Sequence, residues 1–234
     1  MPELMTTCAP RRAHQTFGRV GARLRGLQPE HPRVYAVAAM ADQGKRRWWQ
    51  LAEGAGEGRV DLMYRRHAAE MSSPAMAAEV VATALIHGIV GRVAALLVLE
   101  GRAWDPGLEN LWLHTDNDGG LDWAGLADTT IRVVAGDPLA GDRGVLVLPC
   151  GEAMTLWLAQ RCASSLTLVQ STLARCARLS ARRFWELVGE SVTGAATYVP
   201  ELARTDAALA ARRGEALLAA LEHRGLAARR LRLA

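Results

Sequence analysis

The stretch from Leu108 to Val134, LENLWLHTDNDGGLDWAGLADTTIRVV, decides the fold, because its hydrophobic spacing changes from helical to alternating. Apolar residues alternate on both sides of Asp116-Asn117-Asp118-Gly119-Gly120, a run typical of a hairpin turn. The alternation predicts two paired strands. TTIRVV at 129–134 predicts a third strand, and GVLVL at 144–148 predicts a fourth. We therefore expect a small antiparallel sheet in the middle of the chain.

Helical spacing dominates on either side of this sheet. Ser73 can cap a helix with Pro74 in its first turn, and this helix runs towards Gly88 and restarts as Val90 to Glu100. It is apolar nearly all round, which predicts that it is buried, whereas Val34 to Trp49 gives a weaker helical pattern. Helices before and after one sheet, without alternating strands and helices, predict an α+β fold: a mostly helical single domain with a small central antiparallel sheet. The other predicted helices are Asp61–Met71, Glu152–Leu179, Ala181–Tyr198 and Asp206–His223.

The chain has 234 residues, which suits one domain. We predict a basic N-terminal extension over 1–32, an α+β domain over 33–225 and a basic C-terminal tail over 226–234. Polar residues and glycines interrupt the apolar run at 80–99, and the first residues do not resemble a signal peptide. We therefore expect a cytoplasmic protein that does not bind a membrane.

The net charge of +4 arises from 28 basic and 24 acidic residues, and Lys45 is the only lysine among the basic ones. The arginines occur singly and in pairs along the whole chain, whereas a nucleic-acid surface usually clusters them. We therefore expect no nucleic-acid partner.

Two places carry candidate catalytic chemistry. His67 and Glu70 lie three residues apart on one predicted helix face, and Glu79 and His87 lie about two turns apart on the next helix. Together His67, Glu79 and His87 could bind a metal ion. Cys150 follows a predicted strand at a helix start, and helix N-termini favour reactive thiolates. The alternatives are a polar contact between two helices and a structural cysteine.

A family resemblance rests on four segments of the chain. They are LARCARLSARRFWEL at 173–187, YRRHAA at 64–69, LEGR at 99–102 and NLWL at 110–113. These segments resemble the FhuF-like ferric-siderophore reductases over roughly residues 61–221. The resemblance implies one-electron reduction of a ferric hydroxamate siderophore in the cytoplasm, at a [2Fe–2S] cluster. In that family the cluster is held by a Cys-Cys pair and a C-x-x-C motif near the C-terminus.

The sequence departs from the family at this cluster. The chain has no cysteine after Cys176, so we expect no [2Fe–2S] cluster, and no catalytic residue can be carried over from the family. The expectation is a cluster-less relative that binds an iron chelate or a similar small molecule in siderophore or specialised-metabolite chemistry. The residues expected near the ligand are Arg65, Arg66, Arg182, Arg183 and Trp185.

Two other functions remain open at this point. The chain could be a biosynthetic enzyme that uses haem or non-haem iron through His67, His87 or Cys150, or that needs no cofactor. It could also be an accessory protein that stabilises a partner enzyme. A homodimer is a further option for its protein partner.

Overall fold

The computed structural model describes residues 10–44, 46–226 and 228. These residues are mostly helical and contain a small amount of β-sheet. The helices are α1 (Pro10–Arg25), α2 (Leu51–Gly56), α3 (Arg59–Glu70), α4 (Pro74–Ile86), α5 (Arg92–Glu100), α6 (Gly151–Cys176), α7 (Ala181–Ala203) and α8 (Ala207–Glu222).

Six strands form two separate sheets within the described residues. The first has the order β1-β4-β3-β2, in which β1 is parallel to β4 and the other pairs are antiparallel. The second is a parallel pair of β5 and β6. The strands are β1 (Ala38–Ala39), β2 (Trp48–Gln50), β3 (Leu111–Thr115), β4 (Leu121–Leu126), β5 (Ile131–Val134) and β6 (Val145–Leu148).

The predicted fold class, a helical α+β domain, is confirmed, and so is the hairpin of β3 and β4. The prediction of one antiparallel sheet was wrong. Gly136 and Gly141 have positive φ angles of 85° and 94° in the connection after β5, and the chain returns there so that β6 runs parallel to β5. The weak helical pattern at 34–49 was also wrong, because β1 and β2 lie there.

The centre of the domain is a continuous helical segment from Pro74 to Glu100, made of α4, a π-helical turn at His87–Gly91 and α5. The Ser73 hydroxyl accepts a hydrogen bond from the Met76 amide at 3.3 Å and caps its start. This segment is long and apolar enough to cross a membrane, but 78% of its most apolar window is buried inside the domain. It therefore resembles the core helix of a soluble protein.

The central segment packs against helices on several sides and against the sheet. Helices α3, α6, α7 and α8 contact it, and the inward face of the hairpin lies on the π turn. A Cβ at Gly88 would lie 3.2 Å from the Leu113 side chain, so the close approach of strand and helix requires a small residue there. Each fully buried aliphatic side chain in this core contributes about 1.5–3 kcal/mol.

The first helix also belongs to this core. Phe17, Val20 and Leu24 of α1 are at most 6% exposed and lie in the same hydrophobic cluster as the central segment. From Pro10 onward, the predicted N-terminal extension is therefore part of the domain. Residues 1–9, with Cys8, and most of the predicted C-terminal tail lie outside the described residues.

Candidate functional site

The predicted pair on α3 does not form part of a metal site. His67 contacts the Met63 carbonyl oxygen through Nδ1 at 3.0 Å, one turn away on its own helix, and Glu70 is exposed. Because a carbonyl oxygen only accepts, this bond requires the proton on Nδ1 of His67. The pair thus lies on the surface of α3 as separate side chains.

Glu79 is held by an arginine from another helix. Arg183 on α7 donates from Nε and Nη2 to the two carboxylate oxygens of Glu79, at 3.0 and 2.9 Å. This fork holds the pKa of Glu79 below its usual value, although partial burial opposes the shift. Across the described residues, no three His, Cys, Asp or Glu side chains lie close enough to bind a metal ion. The predicted site of His67, Glu79 and His87 was therefore wrong.

The four arginines expected near a ligand do not converge. Arg65 is 2.9 Å from Asp61 on its own helix, whereas Arg66 extends over the hairpin turn at Gly119. Arg182 is 2.9 Å from Glu186, also on its own helix. Arg183 contacts Glu190 at 2.9 Å in addition to Glu79. Arg65, Arg182 and Arg183 thus form ion pairs on two different helices, and Arg66 lines a cavity of about 250 Å³ beside the hairpin turn. That these arginines lie near a ligand stays a prediction.

Trp185 and the cysteines also lie apart from one another. Trp185 is only 9% exposed and packs edge-to-face on Phe184, with ring centroids 5.4 Å apart. Cys150 is exposed at the start of α6. Cys162 is fully buried, and this burial raises the pKa of its thiol far above the usual value. Trp185 and Cys162 therefore lie in the hydrophobic core, and Cys150 lies at the start of a helix, as predicted. A catalytic role for Cys150 stays a prediction.

The structure instead brings together polar groups at the π turn of the central segment. His87 begins this turn and Arg92 follows it, in a helix that is otherwise apolar. π-Helical turns interrupt the regular hydrogen-bond ladder and occur often at functional sites. We call this pair and the two cavities beside it the His87–Arg92 site.

Arg92 is a buried cation without a carboxylate partner among the described residues. The residue is 3% exposed, and it donates from Nη1 to the Ala36 carbonyl at 3.0 Å and from Nη2 to the Asp122 carbonyl at 3.2 Å. Its Nε is buried and has no hydrogen-bond partner there. Burial lowers the pKa of Arg92 to about 10, and the nearby Asp122 charge opposes this shift. The group therefore stays charged at neutral pH.

The Asp122 carboxylate is engaged elsewhere. One oxygen accepts from Nη1 of Arg33 at 2.7 Å, and the other lies 2.6 Å from Nδ1 of His114. The guanidinium carbon of Arg33 also lies 4.7 Å from the ring centroid of Trp123. As a hydrogen-bond acceptor, Asp122 thus offers Arg92 only its main-chain oxygen, and its carboxylate acts on Arg92 through charge alone.

A cavity of about 460 Å³ opens beside Arg92, and we call it the front pocket. Its volume lies within the range of small-molecule sites. It is bounded by the loop before β1 and by the end of the hairpin. Its lining residues are Glu30, His31, Pro32, Arg33, Val34, His87, Arg92, Leu121 and Asp122.

A second cavity, of about 320 Å³, lies on the other side of His87 toward α7, and we call it the rear pocket. Its lining consists mainly of small, aromatic and hydroxyl-bearing side chains. They are Tyr35, Thr83, His87, Gly91, Leu187, Glu190, Ser191, Gly194, Ala195 and Tyr198.

His87 has a fixed protonation pattern. Its Nε2 lies 2.7 Å from the Val34 carbonyl oxygen, which can only accept, so Nε2 carries the proton. Burial and then the Arg92 charge lower the pKa of His87 to about 4, although the Val34 bond opposes the shift. At neutral pH the imidazole is therefore uncharged, and its Nδ1 is an acceptor.

Arg92 and Asp122 were absent from the residues expected near a ligand, although the sequence contained a signal for Arg92. An arginine within the apolar run Val80–Leu99 has no acidic residue three or four positions away on the same helix. Such a cation must find its partner in another element or in a ligand. Asp122 gave no comparable signal, because its position depends on the packing of the hairpin.

Comparison with protein-family models, with curated proteins and with solved structures gave no match. The resemblance to the FhuF-like reductases therefore stays a prediction from the sequence.

Proposed function

We propose that the protein binds a small anionic molecule in the front pocket, and that it does so in the cytoplasm. The observation that carries this proposal is Arg92, a buried guanidinium with no carboxylate partner in the described structure. A buried charge costs several kcal/mol unless a counter-charge and hydrogen bonds compensate it. A ligand oxygen with negative charge would supply both.

The chemical class follows from the donors around the pocket. The lining contains the cations Arg92 and Arg33 and the carboxylates Glu30 and Asp122, of which Asp122 is paired with Arg33. Guanidinium groups favour flat oxygen pairs such as those of carboxylates. Iron chelates built from carboxylates expose anionic oxygens of this kind, and a hydroxamate acquires its negative charge when it binds iron. The proposed ligand is therefore an iron chelate or a pathway intermediate with a carboxylate or hydroxamate group, as expected for a cluster-less relative of the FhuF-like reductases.

The first experiment measures binding by isothermal titration calorimetry to citrate, ferric citrate, acetohydroxamate and its ferric complex. The test variant is Arg92→Gln. We expect it to lower the affinity for the ligand that binds by at least about tenfold, because a charge-assisted hydrogen bond is worth about 1.5–3 kcal/mol.

Arg213→Gln is the matched control. Arg213 is also partly buried and donates to a main-chain oxygen, that of Val98 at 3.0 Å, but it does not line the front pocket. Its variant should bind as the wild type does. Absence of binding to all four probes by the wild type, or equal binding by wild type and Arg92→Gln, would contradict the proposal.

The cluster-less part of the proposal has its own test. We expect the freshly purified protein to show no [2Fe–2S] absorption bands and to contain no acid-labile sulfide. Cluster bands, with matching iron and sulfide content, would contradict this part and leave the anion-binding proposal untouched.

A further inference from the structure

We propose that the rear pocket is a second binding site, which takes an uncharged aromatic molecule carrying a hydroxyl group. The hydroxyl would donate its hydrogen bond to Nδ1 of His87. Phenol is the simplest molecule of this class. The inference concerns the cavity on the α7 side of His87 and does not depend on anion binding in the front pocket.

The acceptor in this site is fixed by the protein. Since the Val34 carbonyl holds the proton of His87 on Nε2, the lone pair of Nδ1 remains available. Within the described residues, Nδ1 takes part in no hydrogen bond, and His87 lines the rear pocket. Burial, and then the neighbouring Arg92 cation, disfavour a second proton on the ring. The site therefore presents a lone pair to a ligand that can donate.

Gly91 keeps this lone pair accessible. A Cβ at Gly91 would lie 2.5 Å from Nδ1 of His87 and 2.8 Å from Oγ of Ser191. The missing side chain leaves a gap onto which both polar atoms face. A ligand hydroxyl that approaches this gap from the pocket can donate to His87 and accept from the Ser191 hydroxyl, so both of its hydrogen-bonding roles are used.

The remaining walls suit an aromatic ring. Tyr35 and Tyr198 contribute rings, and the Tyr35 ring meets that of His87 edge-on with centroids 6.1 Å apart. Leu187 and Ala195 add aliphatic surface. This combination favours a flat, neutral ligand.

Glu190, the acidic residue in the lining, is already held by Nη1 of Arg183 at 2.9 Å. Its charge is therefore compensated within the protein, and the site does not require a cationic ligand.

The test compares phenol with anisole, which has the same ring but no hydroxyl hydrogen. Binding is followed by NMR of protein labelled with ¹⁵N-histidine. We expect phenol to bind at least about tenfold more tightly than anisole, because anisole would leave Nδ1 without a donor. Phenol should also move the Nδ1 signal of His87 upfield while Nε2 remains protonated.

Two glycine variants locate the site. Gly91→Ala should reduce phenol affinity at least about tenfold, since its methyl group fills the gap beside Nδ1. Gly194→Ala is the matched control, because it lines the same pocket but its Cβ would meet only Tyr198 Cδ2, at 3.9 Å. Gly194 lies in helical backbone, where alanine is favourable, whereas a methyl group at Gly91 must also displace the His87 ring or the Ser191 hydroxyl.

Equal affinities for phenol and anisole, or no shift of the Nδ1 signal with phenol, would overturn the inference. These measurements use the wild-type protein, so they remain decisive even if Gly91→Ala does not fold. Unchanged phenol binding by a folded Gly91→Ala protein would also overturn it.

Discussion

The protonation state of His87 leads to a quantitative prediction about stability and pH. In the folded protein, the pKa of this imidazole is lowered from the usual value of 6.5 to about 4. Burial is the main cause, and the Arg92 charge adds a smaller effect. In the unfolded chain the ring is in water and titrates near 6.5. As the pH falls below this value, the unfolded state takes up a proton that the folded state does not, so protonation favours unfolding.

The size of this effect follows from the difference between the two pKa values. Each pH unit between them removes up to about 1.4 kcal/mol of unfolding free energy, and most of the loss has accumulated at pH 4.5, where it is roughly 2–3 kcal/mol. The loss is complete, at about 3 kcal/mol, once the pH is below the folded value, and it is absent well above pH 6.5.

The assay is urea unfolding of the wild type and of His87→Gln, followed by circular dichroism from about pH 7.5 to about pH 4.5. Glutamine can still donate to the Val34 carbonyl but does not titrate. All other titrating groups are common to both proteins, so their effects cancel in the difference. We expect the stability of the wild type relative to the variant to fall by roughly 2–3 kcal/mol over this range. A difference that does not change with pH would refute the reasoning.

Three further perturbations test other parts of the structure. Arg102→Met should lower the unfolding free energy by about 3 kcal/mol, because it removes the cation from the largely buried Asp137 and leaves Glu100 with Arg23 alone, and denaturant titration measures this loss. Gly189→Ala should lower the thermal midpoint, since a Cβ there would overlap the Ala228 carbonyl oxygen, and the overlap costs about 1–3 kcal/mol. Arg182→Ala combined with Arg183→Ala should leave anion affinity unchanged in calorimetry, because both side chains are in ion pairs outside the front pocket.

Each of these predictions has a control or a contrary outcome. Arg102→Lys should lose less stability than the methionine variant, because it keeps the positive charge. Gly194→Ala, on the same helix as Gly189, should leave the thermal midpoint unchanged or raise it. Weaker anion binding by the double arginine variant would instead support the prediction that these arginines contact the ligand.

Local rules were sufficient for much of the fold. The turn at Asp116–Gly120, the Ser73 cap and the 3.6-residue spacing of the last helices depend on neighbours in sequence, and the structure has these elements where they were predicted. The direction of β6 was not predictable in this way, because it depends on how a loop with three positive-φ glycines folds back on the domain.

The candidate site was harder to predict from the sequence. Helical spacing placed Glu79 and His87 on one face of a helix, but it assumed a regular helix and did not reveal Arg183 on α7 as the partner of Glu79. The same spacing did not indicate the π turn, whose formation depends on packing against the hairpin and α7. His87 was recognised as a candidate, whereas the Val34 carbonyl and the Ser191 hydroxyl beside it come from segments distant in sequence.

The π turn has a consequence at the level of the gene. In a regular α-helix, residues five positions apart point about 140° away from each other. A π turn closes a wider ring that holds one more residue, so His87 and Arg92 at its two ends come closer to the same side. The central helix therefore behaves as a regular helix with a single-codon insertion. A chain shorter by one codon within 88–91 would form a regular helix in which the imidazole and the guanidinium, now four positions apart, still lie on one side. The deletion would therefore remove the extra residue of the turn and keep the alignment of these two side chains.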